Sequence, residues 1–244
     1  TMPHCGLAPG MSVVIANDLI TGLDEVQEVK IRVGALSQNA TNKLRYHSSW
    51  SGDGLVNEYM GDCQVVQKGQ FGYVPALSGY ETLTISGKEF EAFHTSGGIG
   101  TFAQTLSGIY PYVNANYKTL RRIGHHDYVD FLFNDLKIPQ NELTSIFKKH
   151  IPTTRKDEVI LYASVGGNIK NECVEKTYYK VFKPERINGR YMTAIEYTTA
   201  VGLLSMVELY LNGKLPQDGY VKQESVNLKD VFSTTFGNFY REDM

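Results

Sequence analysis

The sequence predicts an α+β fold: a mixed, mostly antiparallel sheet of about six strands, helices on one of its faces, and a long helix near the C-terminus. Three observations predict it. Residues 25–36 alternate, with Val29, Ile31 and Val33 on one side, as a strand half covered by a core does. From Trp50 onward, short β-rich runs alternate with Lys68-Gly69, Ser78-Gly79 and Ser86-Gly87, which is the pattern of hairpins. Residues 192–211 form a run that is apolar on nearly all sides, with small residues Ala200, Gly202 and Ser205 where close packing is tolerated.

Taken in order, residues 9–23 place Met11, Ile15, Leu19 and Leu23 four apart behind Pro9-Gly10, predicting a helix stopped near Gly22. The strand over 25–36 follows, and the polar stretch 37–42 is a loop. Strands are expected at 63–66, 71–74, 82–85 and 89–93, a short helix at 97–107 and an extended run at 112–122. Helical spacing returns over 126–136 and again over 141–150 behind Pro139. Residues 159–165 and 174–182 pair about a loop at Gly166-Gly167, and the apolar run 192–211 closes the regular structure. The expected division is 1–190 for a substrate-binding and dimerisation unit and 191–244 for the last helix and tail.

The chain has 244 residues, 42% hydrophobic and 20% charged, and no run of eighteen apolar residues; membrane-spanning, collagenous and disordered classes are excluded. Twenty-four basic against 26 acidic residues leave a formal charge of −2, and the basic ones are scattered, so a nucleic-acid partner is not expected. Cys5, Cys63 and Cys173 show no ligand spacing and read as reduced thiols of a cytoplasmic protein, with neither disulfide nor metal. The abrupt start, without a signal segment, suggests that an upstream part is missing.

Three constellations carry candidate chemistry. Cys5, Gly6, Pro9 and Gly10 lie at the start of the first helix, where free N–H groups suit an anionic or carbonyl group of a ligand; a plain Pro-Gly turn is the alternative. His94-Thr95 precede Gly97-Gly98, a turn that opens a helix without a dinucleotide fingerprint or P-loop. The densest donor cluster runs from Tyr117 to His126: Lys118 and Arg121 suit carboxylates, and His125 suits proton transfer. On an extended segment, Lys118 and Arg122 share one face and Arg121 takes the other. A polar rim capping the next helix explains the same residues. The three segments are expected to converge on one concave site, each being at the end of a regular element.

Together these strings resemble a known family. Cys5-Gly6-Leu7-Ala8-Pro9-Gly10-Met11, then Trp50-Ser51 with Gly54-Leu55-Val56 and Glu58-Tyr59, then Thr95 with Gly97-Gly98, then Tyr117-Lys118-Thr119-Leu120-Arg121 with Gly124-His125, are similar to the C-terminal part of saccharopine dehydrogenase-like proteins. Residues 193–213 and the Pro216 to Glu224 stretch fit the family's last helix and close. The pattern is nearest to the lysine 6-dehydrogenase and saccharopine reductase group.

The resemblance implies an oxidoreductase that transfers hydride at a carbon–nitrogen bond of an amino-acid- or polyamine-like substrate. NAD or NADP would be bound mainly by an upstream Rossmann domain. It implies a homodimer, and a last helix that packs on the upstream domain. His125 and Lys118 become catalytic candidates; Asp53, His94, Thr95 and Arg121 substrate-binding; Cys5, Gly6, Pro9 and Gly10 cofactor-binding. Saccharopine reductases carry an arginine where this chain has Asp53, so Asp53 is expected to favour an amine over a carboxylate, unless it only starts a turn. The competing reading is a non-catalytic dimerisation or binding module.

Overall fold

Strand β1 (Glu25–Ser37) is the axis of the structure, a computed structural model that describes residues 1–242. It pairs in parallel with β6 (Asn114–Arg121) and antiparallel with β7 (Asp157–Ile169). Outward from β6 lie β2 (Asp62–Gln67) and β3 (Gln70–Pro75); outward from β7 lies β8 (Glu172–Phe182). The hairpin of β4 (Glu81–Ile85) and β5 (Lys88–His94) joins through β5 to the far half of β6, which makes eight strands. All pairings but β1 with β6 are antiparallel, so the expected α+β class and mixed sheet hold.

The helices gather on one face because only one face of the central strands is continuously apolar. Val29, Ile31 and Val33 of β1 and Leu161, Ala163 and Val165 of β7 form one core with α1 (Met11–Ile20), α3 (Phe102–Ile109), α6 (Ala194–Leu211) and α7 (Leu228–Ser233). Phe93 stands opposite Thr119, which stands beside Val33, so Phe93 belongs to that same face. Around Phe93, α2 (Gly52–Glu58), α4 (His125–Asp130) and α5 (Gln140–His150) build a second core from Leu55, Val56, Val129, Leu143 and Phe147. A smaller cluster, Leu36, Phe90, Leu120 and Ile160, lies on the other face, beneath the β4–β5 hairpin.

Four expectations change. Trp50 onward opens with helix α2 rather than turns and strands: Ser51 caps it, its Oγ accepting from Gly54 N at 3.3 Å, and Asp53 lies in its first turn. The β7–β8 turn falls at Lys170-Asn171, both at positive φ, and Gly166-Gly167 run inside β7. There the glycine answers a contact, since a Cβ on Gly167 would collide with the Glu25 carbonyl. The helical stretch after Gly124 has the expected extent, but only His125–Asp130 is α-helix and Phe131–Asp135 continues it as a π-helix. Finally, α6 is built into the main core. Thr193 caps it with a capping box, and Asp157 of β7 accepts from Ala194 N and Ile195 N at 2.8 and 3.0 Å. Tyr197, Val201, Met206 and Leu209 then enter the main core, while Leu203, Val207, Tyr210 and Leu211 stay exposed.

Candidate active site

A cavity of about 810 Å³ opens on the helix-bearing face of the sheet. Its floor is Val33 and Ala35 of β1 with Tyr117, Thr119 and Arg121 of β6; one wall is the loop Gly6–Pro9, another is Ser49, Trp50 and Ser51 with Glu58, and the roof is Ile195, Glu196 and Thr199 of α6. Alternation along β6 sends residues 117, 119 and 121 to this side.

Arg121 organises the charged end. Its side chain is 2% exposed, and each of its nitrogens is engaged: Nε donates to Tyr59 Oη at 2.8 Å, Nη1 to the Leu120 carbonyl at 3.0 Å and Nη2 to Glu58 Oε2 at 3.2 Å. The rings of Tyr46 and Tyr59 flank its Cζ, with centroids at 5.2 and 5.6 Å. Behind it the hydrogen bonds have one possible direction. His125 Nδ1 lies 2.9 Å from the Leu44 carbonyl, which only accepts, so the proton of the neutral ring is on Nδ1. Nε2 is then an acceptor, and Tyr59 Oη, 2.9 Å away, donates to it while accepting from Arg121. Burial and the Arg121 cation hold His125 neutral, its pKa pushed down to about 3. Burial also lifts the Glu58 carboxyl above its ordinary range, partly offset by Arg121.

The expected convergence is only partly realised. Gly6, Pro9 and Arg121 line the cavity. Thr95 lies one layer behind, its Oγ1 2.9 Å from Thr119 Oγ1, and His125 lies behind Tyr59. Lys118 and His94 are on the opposite face of the sheet: Lys118 Nζ pairs with Glu81 at 2.7 Å, and burial with the Lys118 charge pushes His94 down to about 4. Lys118 stands between Tyr117 and Thr119, which face the cavity, and His94 pairs with Lys118 across the strands, so alternation sends both away from it. Asp53 points to Lys148 at 2.6 Å from an exposed turn of α2 and does not line the cavity.

The helix N-terminus also fails the expectation placed on it. Met11 N donates to the Gly6 carbonyl at 3.0 Å, Ser12 N to Leu7 at 2.9 Å, and Val13 N and Val14 N to Gly10, so no free N–H group is offered to an anion. Gly10, at φ 144, sits so close to Gly6 that a Cβ there would collide with the Gly6 carbonyl. Cys5 lines a different, more apolar groove of about 360 Å³ with Met2, Leu203, Met206, Val207 and Tyr210, and burial raises its thiol pKa.

The residues that sequence reasoning passed over are Glu58, Tyr59, Tyr117, Thr119, Trp50 and Glu196 as cavity and support groups. Glu58 was visible as a carboxylate just before the Tyr59 hydroxyl, but only the hidden helix α2 turns it towards Arg121. Among the described residues there is no cluster of His, Cys, Asp and Glu able to hold a metal, and no helix long and apolar enough to cross a membrane.

Residues 6–241 match the family model described as the saccharopine dehydrogenase C-terminal domain. Among solved structures, the chain resembles apo saccharopine dehydrogenase (L-Glu forming) from Saccharomyces cerevisiae, with a TM-score of 0.73 at 15% identity over 98% of this chain and 72% of that one. It also resembles the homospermidine synthase of Legionella pneumophila, solved in complex with NAD, with a TM-score of 0.59 at 13% identity over 93% of this chain and 54% of that one. At these identities the likeness is one of fold.

Proposed function

The chain belongs to the saccharopine dehydrogenase C-terminal domain family, and on that premise we propose that it is the substrate-covering part of an oxidoreductase acting on a carbon–nitrogen bond. The substrate is amino-acid- or polyamine-like, and the working form is a cytoplasmic homodimer. The observation that carries this reading is the cavity itself, which gathers Glu58, Arg121, Trp50, Thr119 and the Gly6–Pro9 loop from three separate segments onto one face of the sheet.

The dinucleotide's phosphates do not fit the residues present here: the α1 N-terminus is closed on Gly6, Leu7 and Gly10, and the glycine fingerprint is missing. NAD or NADP therefore belongs, in this proposal, to sequence outside this chain, and would supply the hydride acceptor or donor. The chain's own contribution is binding and orientation. The His125–Tyr59–Arg121 array holds Glu58 in place, and the apolar floor of Val33 and Ala35 keeps water from one side of the substrate. The exposed side of α6, with Leu203, Val207, Tyr210 and Leu211, supports docking on the nucleotide-binding part.

The test is nicotinamide turnover by the protein translated from the complete gene, supplied in turn with lysine, saccharopine and a linear polyamine. Reduction or oxidation of the cofactor with one of them, lost on Arg121→Met, is the expected result. A protein that binds cofactor and turns over none of them supports the second reading, a non-catalytic dimerisation module, which the same exposed face of α6 favours.

A further inference from the structure

Resting on the reading that this cavity receives the substrate, we infer that Glu58 decides the substrate's charge and that the group it receives is a protonated amine. The charged groups that face the cavity come from three elements: Arg121 from β6, Glu58 from α2 and Glu196 from α6. Arg121 is the cation among them, with His4 also in the lining, and it is committed to the protein. Each of its nitrogens donates one hydrogen bond inside the protein, to Tyr59, Leu120 and Glu58, and with its side chain only 2% exposed it offers a substrate carboxylate little of its surface.

The carboxylates are differently placed. Glu58 gives only Oε2 to Arg121; its Oε1 has no hydrogen-bond partner among the described residues, and the side chain retains 26% exposure at the cavity wall. Glu196 uses Oε2 to accept from Thr193 N at 2.8 Å, with Arg155 3.6 Å away on the outside. What the cavity shows an incoming molecule is thus negative. Desolvation raises the Glu58 carboxyl pKa, with Arg121 offsetting part of the rise, and an ammonium on Oε1 would favour the ionised form further. Arg121 then acts through Glu58 by fixing its orientation, and Tyr59 and His125 fix Arg121; these three are positioning residues.

The experiment uses this chain and three probes of similar length: cadaverine, lysine and glutarate. Calorimetric binding and the thermal midpoint are read for the wild type, Glu58→Gln, Glu58→Asp and Thr199→Trp, which fills the cavity from α6. Cadaverine and lysine should bind and raise the midpoint, and glutarate should not. Glu58→Gln should weaken the amines about tenfold to a hundredfold, the range expected for losing a hydrogen bond to a charged group. Glu58→Asp, which keeps the charge, should retain most of the response, and it carries the test if the glutamine variant does not fold. Glutarate binding as well as cadaverine, amine affinity unchanged in Glu58→Gln, or no response to any probe overturns the inference. If Thr199→Trp leaves amine binding intact, the cavity is not the site and the functional reading fails with it. If Thr199→Trp abolishes binding and Glu58→Gln does not, only the charge assignment fails.

Discussion

The two faces of strand β6 carry the same chemistry to different ends. On one, Arg121 meets Glu58 and leaves a carboxylate oxygen turned to a cavity. On the other, Glu81 is shared by two cations: Oε1 lies 2.5 Å from Arg32 Nε and Oε2 lies 2.7 Å from Lys118 Nζ, while Arg32 Nη1 donates to Asn116 at 2.7 Å. Arg32 Nη2 is buried there without a partner among the described residues. A carboxylate with both oxygens occupied is a brace between β1, β4 and β6; one with an oxygen to spare can take a ligand. Residue types do not separate the two cases, and the count of unused lone pairs does.

The largest expected effect comes from Arg121. Its removal as Arg121→Met leaves Glu58 unpaired and Tyr59 without its donor, and should cost about 3 kcal/mol in urea unfolding, as breaking a buried pair does. A loss under about 1 kcal/mol would show the array to be peripheral to folding. Next comes the brace. Glu81→Gln strips two buried cations of the carboxylate they share and should cost about 2 kcal/mol, more than Glu58→Gln, which strips one. Equal losses would break the contrast between the faces.

The faces should also differ in pH dependence. At Glu81, burial is outweighed by Arg32 and Lys118, which hold the carboxyl below its ordinary value; the stability it contributes is present above that ordinary value and is lost as pH falls through the depressed one. At Glu58 the shift is upward, so its contribution is present at low pH and is lost as pH rises through the raised value. Unfolding curves across the acid range should therefore change slope in opposite senses in Glu81→Gln and Glu58→Gln.

The histidines add a term of known sign. His94, at about 4, and His125, at about 3, bind fewer protons folded than unfolded below the ordinary 6.5. Stability should drop as pH is lowered through that window, by about 1.4 kcal/mol per unit for each, and His94→Gln should show the shallower acid slope. The smallest effect belongs to Asp53. Its pair with Lys148 is exposed, so Asp53→Asn should change stability by less than about 0.5 kcal/mol and leave amine binding as it was. A change in ligand charge preference in that variant would return the role of Glu58 to Asp53.

Much of this was legible in particular residues. Val29, Ile31 and Val33 placed β1 and its buried face, and the Lys68-Gly69 and Ser86-Gly87 pairs placed two hairpin turns, because side-chain period and positive φ are local demands. Alternation also separated Lys118 from Arg121. Convergence of both on one site contradicted it, and the structure follows the alternation, which parts His94 from Thr95 as well. Helix α2 was not legible, since Gly52 and Gly54 weaken helical propensity and its stability comes from Leu55 and Val56 packing under α5. Nor was the use of Gly6, Leu7 and Gly10 as acceptors, which needs the loop folded back onto α1.

The sequence by itself determined the strand periods, the turns, the capping of α6 by Thr193 and the family pattern, all of which rest on interactions within a few residues. Only the tertiary structure decided which cation is spent and which carboxylate is free. Glu58 and Arg121 are brought together by α2 packing beside β6, and Arg32, Glu81 and Lys118 by register across β1, β6 and the β4–β5 hairpin. Hydrogen-bond capacity is set by partners far away along the chain, and no local pattern of residues records it.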